Sequence, residues 1–279
     1  MYIRYLFRRY LQRIVPLSWY PVLAIPYRWI VRRAIRRMAG EDEAYRRKHP
    51  ETIAPPPRLR LKVTGSDCSI TEFLQSGERI VRDLEEGFRR ANRSLTAGLR
   101  ALDLGCGCGR TILAFCRKWP SVELVGADID AEAIEWCQSN ISGADFLAND
   151  ATPPLPYAAG SFDLAWTISV FTHLDEERQF GWLKELHRIL KPGGLLIATV
   201  LGEHVWKELP RGARQRMHKQ GFLYAVTGAT RGLLPEWFQL AWHTEEYIRR
   251  NWTSIFDLRC YVPQGVDGYQ DMIVLERPS

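Results

Sequence analysis

Cysteine is sparse in this chain of 279 residues: there are six thiols, at Cys68, Cys106, Cys108, Cys116, Cys137 and Cys260, and no C-x-x-C among them. That excludes a disulfide framework and the paired-cysteine zinc sites, so no metal is expected, and several of the thiols fall within apolar runs, as in reduced, buried positions of a cytoplasmic protein. Long uncharged runs are missing as well. The stretch between Arg13 and Arg28 is shorter than the roughly 20 residues a bilayer span needs, and Pro16, Pro21 and Pro26 interrupt it. No small-residue cleavage site marks a signal peptide, and no internal repeat is evident. Basic excess is lacking over most of the chain. Residues 1–48 hold twelve Lys and Arg against three acids, a charge of +9, which leaves −3 for the rest out of the total of +6. A body without its own basic face argues against nucleic acid as the partner.

What is present is a long apolar inventory, 46% of the residues, enough for one α/β domain with appendages. Its most informative stretch is Leu99 to Arg110, L-R-A-L-D-L-G-C-G-C-G-R. Ala101, Leu102 and Leu104 read as a buried strand that stops at Gly105, Gly107 and Gly109. Ile112, Leu113, Cys116 and Trp119 then recur at helical spacing. Strand, glycine turn, helix lets a ligand touch backbone and meet the unpaired N–H groups of a helix start. The third glycine of the dinucleotide fingerprint is replaced by Arg110, and Asp103 stands two residues before the first glycine. A carboxylate there suits an ammonium group and would repel a pyrophosphate. Downstream, V-E-L-V-G-A-D ends a second strand at Asp128, whose carboxylate can accept from both hydroxyls of a ribose, with Ile129 next to it against a base.

The acid-x-G-x-G-x-G pattern at Asp103, Gly105, Gly107 and Gly109 resembles the first motif of the class I S-adenosylmethionine-dependent methyltransferases. S-F-D at Ser161 to Asp163 and K-P-G-G at Lys191 to Gly194 are further signatures of the small-molecule enzymes of that class, so the likeness runs from about Leu99 to Val200. It implies a seven-stranded, mostly parallel sheet flanked by helices, with the C-terminal strand inserted antiparallel. It also implies S-adenosylmethionine as cofactor and S-adenosylhomocysteine as product. The cofactor-binding residues it points to are Asp103, Gly105, Gly107, Gly109, Asp128, Ile129, Asp150, Ala151 and Ser169, with Asp150 accepting from the adenine amine. A hydroxyl acceptor would need a base, and His173, just past the fourth strand, and His243 are the candidates. Where enzymes that methylate base amines carry N-P-P-[YF], this chain has Thr167, Ile168 and Ser169. That favours transfer to a small-molecule or lipid- or sugar-like acceptor, at oxygen. An RNA methyltransferase using a basic arm and a non-catalytic cofactor-binding module are the rival readings.

The ends of the chain lie outside this pattern. Residues 1–57 read as an arm of two basic amphipathic helices, Ile3 to Ile14 and Ile30 to Met38, followed by a linker over Glu41 to Pro57. Such an arm would dock residues 1–38 on an anionic membrane, placing the protein at the inner surface, or on a second copy. Residues 58–279 form the catalytic domain. Ser76 reads as the cap of its first helix, and residues 203–242, rich in glycine and aromatics including Trp237 and Phe238, as a lid over the acceptor. Thr244 caps a last helix, and two adjacent strands close the chain.

Overall fold

The computed structural model describes residues 20–64, 69–225 and 239–279. Seven strands make one sheet: β1 (Arg100–Leu104), β2 (Glu123–Asp128), β3 (Ala144–Ala148), β4 (Phe162–Thr167), β5 (Leu190–Val200) and, after a ribbon of β6 (Phe222–Ala225) and β7 (Leu240–His243), β8 (Asp257–Val266) and β9 (Gln270–Glu276). Their order is β3-β2-β1-β4-β5-β9-β8. The first five run parallel, and β9 enters antiparallel between β5 and β8. The expected sheet is therefore the one observed. Strand order reverses at β1 and β4, so the crevice beyond their C-terminal ends is where a ligand fits in an open sheet. Because β9 is antiparallel, with Val200 opposite Asp271, its first residues reach that same edge.

Helices cover both faces. α1 (Tyr20–Lys48), α2 (Pro57–Thr64) and α3 (Ile70–Arg90) precede β1; α4 (Arg110–Lys118) and α5 (Ala131–Asn140) connect β1 to β3. α6 (Glu176–Ile189) lies between β4 and β5, and α7 (Glu203–Trp206), α8 (Arg211–Gln220) and α9 (Glu245–Asn251) follow. On one face Phe73, Ile80, Leu84 and Phe88 of α3 meet Ile112 and Phe115 of α4 over Trp166, which stacks on Phe115 at 4.8 Å. On the other, Trp182, Leu186, Trp252 and Phe256 cover Leu102, Phe162 and Leu196. Burying each such aromatic removes roughly 150–250 Å² from water, which is why the sheet needs no cross-link.

Four local expectations need correction. The first catalytic-domain helix starts at Ile70, capped by Ser69, whose side chain accepts from the Glu72 amide at 3.1 Å; Ser76 is buried mid-helix, its hydroxyl bonded to the Phe73 carbonyl. S-I-T-E, Ser69 to Glu72, has the spacing of a capping box and sets the helix start ahead of Ser76. K-P-G-G, whose Pro and Gly read in the sequence as a turn between a helix and the strand L-L-I-A-T-V, is carried inside β5, with Gly193 at φ +72 and a register skip between Phe162↔Leu190 and Leu164↔Leu195 that absorbs the extra residues. Glu41 to Lys48 is the end of α1, and Pro57 opens α2, where its missing N–H costs no bond. The supposed linker is thus mostly helix. Ile35, Met38, Asp42 and Tyr45 make a half-buried to buried stripe on α1, and Arg60 of α2, wholly buried, grips Asp42 with two bonds of 2.9 and 2.7 Å. A boundary at residue 57 cuts this pair. Finally, residues 203–242 form more than a loose lid: α7, α8 and the β6–β7 ribbon enclose Leu201, Trp206, Leu209, Met217, Leu223 and Trp242 in a small core of their own. Trp237, Phe238 and the helix expected over Ile3 to Ile14 lie outside the described residues.

Candidate active site

The three glycines of the turn after β1 have φ of +82, +55 and +78, values a side chain resists. A β-carbon on Gly105 would stand 2.2 Å from Val170, and one on Gly107 would stand 2.5 Å from Val63 of α2. The turn is held from below by Asp128, whose two oxygens accept from the amides of Gly107 (2.7 Å) and Asp130 (2.8 Å). Burial pushes the Asp128 carboxyl up in pKa while those two N–H groups pull it back. Each oxygen keeps a second lone pair, so support of the turn and acceptance from a diol are compatible. Ile129, half-buried, follows it.

Asp103 is 1% exposed, and its Oδ2 has no hydrogen-bond partner. Burial raises its pKa to about 7; the indole of Trp166 and the Arg110 guanidinium lower it, and the Asp128 charge adds to the rise. An unpartnered buried carboxylate is costly until a cation or donor reaches it. Asp103 thus offers a buried acceptor at the end of β1 that a ligand cation or donor could reach.

At the end of β3, Asp150 and Ala151 are exposed, and the Ala151 carbonyl accepts from the Trp182 indole at 3.3 Å. Their neighbour Asn149 was missed: its amide donates to the Asp150 carbonyl at 2.7 Å, and its Oδ1 is buried without a partner. Adjacent residues at a strand end point to opposite sides, and composition alone does not say which faces the crevice. Ser169, at φ +65, receives a bond from Gln270 (2.5 Å) and donates its own amide to Thr199 (2.8 Å). Gln270, also missed, leaves its Oε1 buried and unpartnered. The antiparallel entry of β9 brings it there, which was the signal available.

The two histidines part company. Nδ1–H of His173 donates to the Gln239 carbonyl at 2.5 Å, which leaves Nε2 as the basic nitrogen; burial lowers its pKa to about 4. His243 is not at the edge. It is fully buried among Phe222, Tyr247 and Trp252, and burial lowers its pKa to about 3. Its Nε2 meets Gln179 Oε1 at 2.9 Å while the Gln179 amide donates to the carbonyls of Phe171 and Leu174, so His243 is the donor, pinning β7 to α6. A catalytic base must reach its proton, and His243 faces no open surface.

Residues 101–194 match the family model described as "Methyltransferase domain". Over those residues the chain carries a methyltransferase domain. This methyltransferase is 31% identical over 140 residues to methyltransferase GfsG of Streptomyces halstedii, an alignment covering 48% of this chain and 47% of that one. It is 37% identical over 108 residues to the tRNA (carboxymethyluridine(34)-5-O)-methyltransferase of Arabidopsis thaliana, covering 38% of this chain and 25% of that protein. The chain thus spans about half the length, or less, of these relatives. A SAM-dependent methyltransferase from Methanosarcina mazei shares the fold, with a TM-score of 0.50 at 23% identity over 66% of this chain and 94% of that one. The cofactor is S-adenosylmethionine, and the orphan Asp103 oxygen and the glycine turn that excludes β-carbons fit its cationic and backbone-contacting parts.

Proposed function

We propose that the protein transfers a methyl group from S-adenosylmethionine to an oxygen of a small or lipid-like acceptor held beyond the C-terminal ends of β4 and β5. The observation that carries this reading is the unpartnered Oδ2 of Asp103, 1% exposed under the glycine turn, which a cationic ligand would relieve. Asp103 would hold the ammonium end, Asp128 the ribose, and Ile129, Asn149, Asp150 and Ala151 the adenine side, with Ser169 at the methyl end. The cofactor, when bound, supplies an electrophilic methyl on a sulfonium. The chain's own task is to hold the acceptor oxygen in line and keep water out. His173 Nε2 is the candidate proton acceptor; neutral at pH 7, it suits an acidic hydroxyl. Incubation with labelled methyl donor and a metabolite extract tests the reading. Label in a small organic-soluble product, absent for Asp103→Asn, supports it; label in RNA moves the plant relative's activity to first place, and no label with tight S-adenosylhomocysteine binding leaves a binding module.

We further propose that the basic arm docks on an anionic membrane. Arg33, Arg36 and Arg37 of α1 are exposed, its first turn holds no acid, and residues 1–48 carry +9. No described helix is long and apolar enough to cross a membrane, so this is surface binding. Full-length protein should sediment with phosphatidylserine vesicles and be released by salt, each well-placed Arg contributing about 1 kcal/mol. A chain starting at Ala39 keeps Asp42 for Arg60 and should stay folded while losing the vesicles; vesicle binding that survives this truncation refutes the proposal, and a full-length dimer that ignores vesicles points to a second copy instead.

A further inference from the structure

α8 reads R-G-A-R-Q-R-M-H-K-Q, with four cations in ten residues and no acid. Ala213 and Met217, one turn apart, are its buried stripe, in the small core with Trp206, Leu209 and Leu223. Every other residue of the helix is exposed. Arg211, Arg214, Arg216 and Lys219 make no ion pair among the described residues, and the one hydrogen bond among them runs from Arg214 to the Lys207 carbonyl at 3.5 Å. On α3 and α9, by contrast, the helix supplies its own counter-charges: Arg90 meets Glu86 at 2.7 Å, and Arg249 and Arg250 meet Glu245 and Glu246 at 2.7 and 2.6 Å. Like charges three residues apart, as at Arg211 and Arg214 or Arg216 and Lys219, cost a helix stability, and an anion lying across the face relieves that cost. The cations are also local. Residues 49–279 carry −3, and without α8 they would carry −7.

The ribbon that follows α8 is tied to the edge where the crevice opens. Ala241 of β7 donates its amide to the Thr172 carbonyl in the segment after β4 (2.7 Å), and His243 donates to Leu201 directly after β5 (3.0 Å). β6 pairs with β7 from Phe222↔His243 to Ala225↔Leu240, and α8 runs into β6 through Gly221. The basic arm reaches the same edge from the other side. Asp42 of α1 holds Arg60 of α2, Val63 of α2 lies against Gly107 in the turn after β1, and Lys62 pairs with Asp130 just after β2. Two cationic elements thus flank the crevice, one past β1 and β2, the other past β4 and β5. A convex helix face does not cage a small anion; it complements an extended anionic surface. The arm's alternation of cations with apolar residues over Ile30 to Met38 suits lipid, and α8 exposes no aromatic on which a nucleic-acid base could stack.

We propose that α8 is a second contact with anionic lipid, turning the crevice beyond β4 and β5 toward the headgroups. The proposal deepens the membrane reading of the basic arm, and the two can fail separately. The arm retains the chain on the bilayer, while α8, with four cations and no exposed apolar anchor, adds affinity and sets orientation. Sedimentation of the whole chain with mixed phosphatidylserine and phosphatidylcholine vesicles tests it. Arg211→Gln, Arg214→Gln, Arg216→Gln and Lys219→Gln combined should weaken vesicle binding by about tenfold or more, each well-placed cation being worth roughly fivefold, and should leave Tm and S-adenosylhomocysteine affinity unchanged. Arg211→Lys, Arg214→Lys and Arg216→Lys combined keep the charge and should keep the vesicles. A glutamine variant that binds vesicles as wild type does overturns the proposal and leaves the arm as the contact. Equal loss in the glutamine and lysine variants shows that charge is not the cause and overturns it too. Wild type that ignores these vesicles overturns both membrane readings, and RNA binding that the glutamine variant then loses assigns the face to nucleic acid. If a chain starting at Ala39 binds vesicles as the whole chain does and still depends on the four cations, the arm reading falls and α8 stands.

Discussion

Replacing Asp103 by Asn should stabilise the free protein while weakening its cofactor, and pH should separate the two effects. In the folded chain burial raises the Asp103 carboxyl from 3.8 to about 7. Below pH 4 it is protonated folded or unfolded and contributes nothing. As pH rises toward 7 the unfolded chain releases this proton first, so stability falls; above 7 the deficit is constant at about 4 kcal/mol. Asn carries no such charge but leaves a buried amide with unmet donors, a cost of about 1–3 kcal/mol. The variant should therefore gain about 1–3 kcal/mol at pH 8, roughly 2–10 °C in Tm, and the sign should reverse at lower pH, to a loss of about 1–3 kcal/mol near pH 4. Ligand binding should show the opposite sign. An ammonium group needs the ionised carboxylate, so wild-type affinity for S-adenosylhomocysteine should fall as pH drops below 7, by up to about tenfold per pH unit. The variant should bind about 10- to 100-fold more weakly at pH 8 and show no such slope. Scanning fluorimetry and calorimetry between pH 4.5 and 8.5 measure both. A variant less stable than wild type at pH 8, or one that keeps the wild-type affinity and slope, would refute the reasoning.

Asp42→Ala leaves Arg60 buried without its carboxylate and should cost about 3–5 kcal/mol in urea unfolding; an unchanged midpoint would mean α1 does not pack on α2 in solution. Gly202→Ala puts a β-carbon 1.6 Å from Asp271 Oδ2 and should destabilise by about 1–3 kcal/mol, with Asp271→Ala in the same chain recovering part of the loss; additive effects would contradict the contact. His243→Leu breaks the bond to Gln179 and should lower Tm while leaving S-adenosylhomocysteine affinity within threefold, whereas a catalytic His243 would lose turnover with Tm intact.

The parts of the fold that the sequence exposes are those in which one residue's chemistry admits one geometry. Positive φ at Gly105, Gly107 and Gly109 fixes a turn, a strand-end acid at Asp128 fixes the end of β2, and alternation of apolar strands with helices up to Val200 fixes the parallel sheet. What stayed hidden depends on partners distant in the chain. Nothing around Glu41 to Lys48 says that Asp42 will meet Arg60, 18 residues on, and without that pair the charged cluster reads as solvated linker. The β6–β7 strands are four residues each, too short for periodicity to declare, and their stability comes from Trp206, Met217 and Trp242 packing on Leu201. His243 sits beside a cap residue in the sequence, where an edge position is a fair inference. Only the fold around Phe222, Tyr247 and Trp252 shows that its ring turns inward.

The glycine turn also explains why stability and function pull against each other here. Its floor holds the Asp103 carboxyl, whose pKa burial raises to about 7, and Val63 and Val170 enclose its glycines. The buried carboxylate raises the free energy of the unliganded fold above pH 7, and a ligand cation that reaches it removes that cost. Binding should then stabilise more than its contact area suggests, because relief of buried charge adds to burial of apolar surface. α2 stands at the centre of this coupling. Val63 lies against Gly107, Lys62 is paired with Asp130 and Arg58 with Glu132 at the start of α5, and Arg60 grips Asp42 of the basic arm. The arm and the cofactor turn share one short helix.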